Sequence, residues 1–233
     1  MNRRNILIGL GVVAVAAGGG GYWLYSPFGP LAPQAPATPA PGAAQPAPVV
    51  AATAGGMPIF EDDRILGNAD APVTIIEYSS LTCPHCASFH RETLPQVKSE
   101  WIDSGRARLV YRHYPLDQLA LRAAAAANCI EGDGFFGFLE VLFTNQQRWA
   151  QSQDPIAAVG QLAALAGLDR GTFESCLSDE AAIDNILQKQ TDGRDRYGIA
   201  STPSFVVNGT TVTGARSYEE FKSVLESAES AAS

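Results

Sequence analysis

The chain has 233 residues, of which 46% are hydrophobic and 17% charged, with a formal net charge of -8. That composition supports a buried core and excludes a disordered chain. Arg3 and Arg4 are the only charged residues before position 57, leaving 14 basic groups against 24 acidic ones in the remainder; so acidic a body argues against nucleic acid or anionic lipid as the main partner.

In chain order, residues 1–25 read as a membrane anchor or signal segment. Ile6 to Tyr25 carry no charge, and 20 helical residues rise about 30 Å, the thickness of a hydrocarbon core. Arg3 and Arg4 on the N-terminal flank send the rest of the chain across the membrane. Tyr22, Trp23 and Tyr25 resemble an interfacial aromatic belt, which favours an uncleaved anchor; Ala35-Pro36-Ala37 offers a later cleavage site. The six glycines of this segment weaken it as a spanning helix, and Arg3-Arg4 matches a twin-arginine signal only loosely. Residues 26–56 contain eight prolines, ten alanines and no charge, the composition of an extended linker.

From Met57 the texture becomes globular. Val73 to Tyr78 is β-branched and bounded by Ala71-Pro72 and Ser79-Ser80, a strand. Ala87 to Trp101 reads as a helix kinked at Pro95, and Ala107 to Tyr111 as a second strand. Between Gln118 and Arg196 the pattern is helical: an alanine-rich segment through Cys129, an aromatic one through Phe143, one opening at Asp154-Pro155, and others around Thr172 and Ile183. Strands return at Ser204–Val207 and Thr210–Thr213, joined by the hairpin signal Asn208-Gly209, a turn that also accounts for the glycosylation sequon there. Ser217-Tyr218-Glu219-Glu220 is a capping box opening a last helix to about Ala228. The expected class is α/β: a thioredoxin fold over residues 57–116 and 197–233, with an inserted all-helical domain over 117–196.

The chemistry lies in Cys83-Pro84-His85-Cys86. A Cys-x-x-Cys between a strand and a helix puts its first sulfur at the helix N-terminus, where unpaired N–H groups and the macrodipole stabilise a thiolate. Cys83 is then the nucleophile and Cys86, one turn on, the resolving thiol. Positive charge on His85 would stabilise the reduced form further and make the pair oxidising. Zinc is the competing use of such a motif, but no second ligand pair has the spacing, so neither metal nor cofactor is expected. His90 and His113 read as surface or packing histidines. Pro203, at the entry to a strand, needs a special role, of which a cis peptide is one.

Glu77-Tyr78-Ser79-Ser80-Leu81-Thr82-Cys83-Pro84-His85-Cys86, together with Thr202-Pro203, resembles the DsbA-type branch of the thioredoxin superfamily, over about Asp63 to Ala228. The resemblance implies that Pro203 is cis and faces the cysteines, that Thr202 offers backbone hydrogen bonds to a bound peptide, and that Glu77 is a buried acid moving protons. A carboxyl in an otherwise apolar strand needs a partner or a function. Thr202 departs from the aliphatic residue of the best-known periplasmic oxidase and is also met among disulfide isomerases. Cys129 and Cys176, on different helices, are expected to form a structural disulfide, since free thiols beside an oxidase would be unusual; closing about 48 residues, it would stabilise by about 4 kcal/mol. Two separate buried thiols are the alternative.

The expected function is a thiol-disulfide oxidase acting in the bacterial periplasm on reduced or misfolded exported proteins, tethered by residues 6–25 or secreted, and reoxidised by a membrane quinone-linked partner. The alternatives are an isomerase or reductase on the same fold, and a tethered peptide-binding chaperone module.

Overall fold

The computed structural model describes residues 48–49, 57–132 and 134–232. The segment read as an anchor and most of the linker lie outside these. Two linker residues are described: Pro48–Val49 form strand β1, paired antiparallel with β2, Ile59–Phe60. No helix among the described residues is long and apolar enough to cross a membrane.

A five-stranded mixed sheet organises the rest, in the order β3 (Arg64–Gly67), β5 (Ala107–His113), β4 (Val73–Ser79), β6 (Ser204–Val207), β7 (Thr210–Thr213). β4 and β5 are its only parallel pair. Every residue of both is buried, the polar Glu77, Arg108, Arg112 and His113 included; β5 runs two residues beyond its expected end. β3 runs antiparallel to β5. Neither β2 nor β3 carries a strong strand signal, both being short.

The crossover from β4 to β5 begins at Pro84, three residues earlier than its apolar periodicity suggests. It comprises α1 (Pro84–Ser88), a π-helical turn over Phe89–Thr93, α2 (Leu94–Val97) and a second π turn over Lys98–Ile102. The expected irregularity at Pro95 takes the form of the first π turn, in which the Leu94 N–H reaches back to the Phe89 carbonyl. Proline has no N–H to give, and widening the turn before it relieves the ring's clash with the preceding helix.

Six helices separate β5 from β6: α3 (Gln118–Asn128), α4 (Gly134–Thr144), α5 (Gln146–Ala150), α6 (Pro155–Leu165), α7 (Arg170–Leu177) and α8 (Glu180–Tyr197). α3 is central. Ala123 to Ala127 are all buried, and their small side chains let α4, α6, α7 and α8 pack around it. Cys129 at the end of α3 is bonded to Cys176 on α7, with 6.3 Å between their Cα atoms. The closing helix α9 (Tyr218–Ala232) begins with a reciprocal cap, Ser217 N–H to Glu220 Oε2 at 3.0 Å and Glu220 N–H to Ser217 Oγ at 3.4 Å.

One sheet face is filled by Phe89, Trp101, Phe205, Phe221 and Leu225. Ile76, Tyr78, Val110 and Val206 lie on the other. Leu81, Cys83, Cys86 and Tyr111 belong instead to the apolar cluster of the helical block, so the Cys-x-x-Cys turn sits on the seam between sheet and insertion.

Candidate active site

β4 delivers the chain to the turn, and Cys83 is the N-cap of α1, with extended backbone (φ -80, ψ 119) and Pro84 in the first helical turn. Proline fits there because its missing N–H would have had no helical partner. Cys83 is 7% exposed and Cys86 fully buried, and both are thiols. Pro84 and His85 are exposed. Across from them the Thr202-Pro203 peptide is cis, and the Cys83 thiol donates to the Thr202 carbonyl at 3.3 Å.

The two thiols are driven apart in acidity. The hydrogen bond from Cys86 does most to bring Cys83 down, from an ordinary 9.0 to about 5; burial opposes it, while the Thr202 side chain and the N–H groups of Cys86 and His85 assist. Burial pushes the Cys86 thiol far above its ordinary range, and its hydrogen bond with Cys83 adds to that. Cys86 therefore stays protonated and donates to the Cys83 thiolate.

Two residues before the end of β4 lies a buried polar group that sequence reasoning only partly located. Glu77, on the central strand β4, has no exposure, and its Oε1 lies 2.8 Å from Nε2 of His90. His90 is thus the partner of the buried acid as well as the packing residue it was read as. It sits four residues after Cys86 and stacks on Phe143 of α4 at 4.1 Å. The available signal was helical spacing, since positions four apart share a helix face. β4 and β5 bring Tyr111 opposite Glu77 and His113 opposite Ser79. Burial holds the Tyr111 hydroxyl well above its ordinary value, with Glu77 and Cys86 adding to the effect. Burial also lowers His113 to about 3; Asn128 opposes this, and Lys189 and Arg64 reinforce it, so the ring is neutral.

The insertion also holds the turn directly. Thr82 Oγ1 donates to Asp117 Oδ2 at 2.6 Å, while Asp117 Oδ1 caps α3 through the Ala120 N–H. Gln146 on α5 donates to the carbonyls of Leu81 and Cys83. No local pattern marks Asp117 or Gln146 for this role, because the contacts span 35 and more than 60 residues. Cys129 and Cys176 form their own bridge, separate from the reactive pair. Among the described residues, no group of histidine, cysteine and carboxylate side chains could hold a metal ion.

A family model described as Thioredoxin matches residues 60–227. A Rickettsia bellii protein provisionally named a protein-disulfide oxidoreductase is 31% identical over 153 residues, covering 65% of this chain and 59% of that protein. The chain spans between 56% and 68% of the length of the Rickettsia relatives it matches. Disulfide bond formation protein D of Bacillus subtilis is 27% identical over 176 residues, covering 73% of this chain and 79% of that one. Among solved structures, Wolbachia pipientis alpha-DsbA1 superposes with a TM-score of 0.69 at 29% identity, covering 75% of this chain and 94% of that one. Oxidised BdbD from Bacillus subtilis shares the fold, with a TM-score of 0.65 at 24% identity and coverage of 76% and 98%.

Proposed function

Since the chain belongs to the thioredoxin family and is like its DsbA-type members, we propose that it is a thiol-disulfide oxidoreductase that introduces disulfide bonds into exported proteins. The observation that carries this reading is the asymmetry of the sulfurs, Cys83 acidified to about 5 at a helix N-terminus and Cys86 buried and protonated. A thiolate stabilised only in the reduced enzyme favours electron flow from substrate to enzyme.

The cycle starts from a Cys83–Cys86 disulfide. A substrate thiolate attacks Cys83 Sγ, the less buried sulfur, and a mixed disulfide forms as the Cys83–Cys86 bond breaks. Cys86 leaves with the electron pair and takes up a proton. A second substrate thiolate then attacks the substrate sulfur of the mixed disulfide, closing the substrate's own bridge and expelling Cys83 as a thiolate. Two electrons pass from substrate to enzyme. The low pKa of Cys83 makes it a good leaving group in the last step.

In this reading Pro84 fixes the first turn of α1, and the exposed His85 stands between the two cysteines. Glu77, paired with His90, supplies and accepts the Cys86 proton. Thr202 and Pro203 form the opposite wall, where the Thr202 backbone pairs with an extended substrate strand. Cys129–Cys176 is structural. The enzyme works in the bacterial periplasm, tethered by residues 6–25 or released, with a quinone-linked membrane protein restoring its disulfide; no resident cofactor is required. The test is the equilibrium of Cys83–Cys86 with glutathione. A potential well above that of thioredoxin, which is about -270 mV, is expected; a value near thioredoxin's would overturn the oxidase reading.

A further inference from the structure

Gln146 opens α5, a helix of five residues. It is 5% exposed, and its Nε2 donates to the Leu81 carbonyl at 2.8 Å and the Cys83 carbonyl at 2.9 Å. Both protons of one amide nitrogen are therefore spent on the segment that carries the nucleophile. α5 has a separate internal anchor in Trp149, whose indole N–H donates to the Leu142 carbonyl at 2.8 Å. The helix therefore has a tie to α4 besides the Gln146 contacts.

What those contacts do fix is the backbone on either side of Cys83. Between the Leu81 and Cys83 carbonyls lie the dihedrals of Thr82 and Cys83, and these decide where Sγ sits relative to the N–H groups of His85 and Cys86. The Cys83 carbonyl also accepts the Ala87 N–H at 3.2 Å, the bond that begins α1. A cavity of about 380 Å³, bounded in part by Thr82, Pro84 and Gln146, adjoins this point. If the amide donors were lost, the two carbonyls could turn toward water there, so the turn would relax without unfolding.

We infer that Gln146 is a positioning residue for the redox centre, through which the inserted helical domain sets the acidity of Cys83. The inference rests on the proposed function only in taking Cys83 as the reacting thiol. It goes beyond it by giving the insertion a part in tuning the chemistry.

The test uses the full chain with Gln146→Met, which keeps the length and removes the donors, and Gln146→Asn, which withdraws the amide by one methylene. Trp149→Phe is the control, removing the other buried hydrogen bond of α5. The readouts are the Cys83 pKa from thiolate absorbance, the equilibrium with glutathione, and thermal unfolding. Gln146→Met is expected to raise the Cys83 pKa by about half a unit to one unit and to make the pair about three- to tenfold less oxidising. Gln146→Asn should shift both in the same direction by less. Trp149→Phe should lower the melting temperature and leave pKa and equilibrium unchanged. Gln146 variants that change only stability, or a Trp149→Phe that moves the pKa equally, would overturn the inference. A thioredoxin-like potential in the wild-type chain would remove the oxidase reading and still leave the Gln146 shift to be read.

Discussion

Cys83 and Cys86 are separated by two residues, yet one is held near pKa 5 and the other far above its ordinary value. The cause is position within a single helical turn. Cys83 faces the N–H groups that have no helical partner, whereas Cys86 faces the apolar cluster of the insertion, keeps its proton and donates a hydrogen bond to Cys83. A depressed thiol stabilises the folded reduced state fully above the unfolded pKa, and that stabilisation is lost as pH falls through the folded one. The stability of the reduced enzyme over the oxidised one should therefore shrink as pH falls from about 9 toward about 5, as paired thermal melts at stepped pH would read. A gap that does not change over this range would refute the acidified thiol. This part of the site was legible because its determinants are local: the motif, the helix start and the proline before β6. His90 was legible in principle, four residues beyond Cys86, but its partner Glu77 lies on a strand 13 residues away, and pairing across that distance needs the fold.

Among the elements, those with an explicit stop or turn signal were read closely. Asn208 (φ 45) and Gly209 (φ 91) adopt the left-handed conformations that a two-residue hairpin requires, and Ser217 and Glu220 form the reciprocal cap their spacing implies. Helix α8 shows what a pattern cannot reveal. Gly193 stands inside this 18-residue helix, where alanine would ordinarily be better by about 1 kcal/mol. A Cβ there would clash with the Tyr78 ring. That ring cannot swing aside, being fully buried, with its hydroxyl accepting from Arg112 Nη1 at 2.9 Å. Gly193→Ala should therefore destabilise by about 1–2 kcal/mol despite its gain in propensity, measured by denaturant unfolding. A stabilised variant would mean that α8 can shift away from the sheet without cost. Arg112 itself is tied to Asp63, with Nη2 to Oδ2 at 2.7 Å, and Lys189 of α8 reaches the same carboxylate at 3.1 Å. Burial alone would raise Asp63, but Arg112 and then Lys189 outweigh it and hold the carboxyl below its ordinary value. This network pins the segment before β3, and its charged residues gave no strand or core signal in the sequence.

At the scale of the molecule, the insertion and the sheet share the reactive turn but are stabilised by separate devices. The insertion is built around the alanines of α3, and its internal tie is the bridge between Cys129 at the end of that helix and Cys176 on α7. Its grip on the turn runs instead through Asp117, at the opposite end of α3, and through Gln146 on α5. Replacing both Cys129 and Cys176 by serine should therefore cost about 2–4 kcal/mol, below the entropic ceiling because the denatured chain keeps some structure, and lower the melting temperature by several degrees. The variant is preferable to a reductant, which would also open Cys83–Cys86 and merge two effects. In the folded variant the Cys83 pKa should match that of the wild-type chain, because neither Asp117 nor Gln146 depends on the bridge for its contacts. A double serine variant that melts like the wild type would show that α3 and α7 are held by packing alone. One that keeps its melting temperature but shifts the Cys83 pKa would show that the bridge acts on the turn, and the two devices would then be a single one.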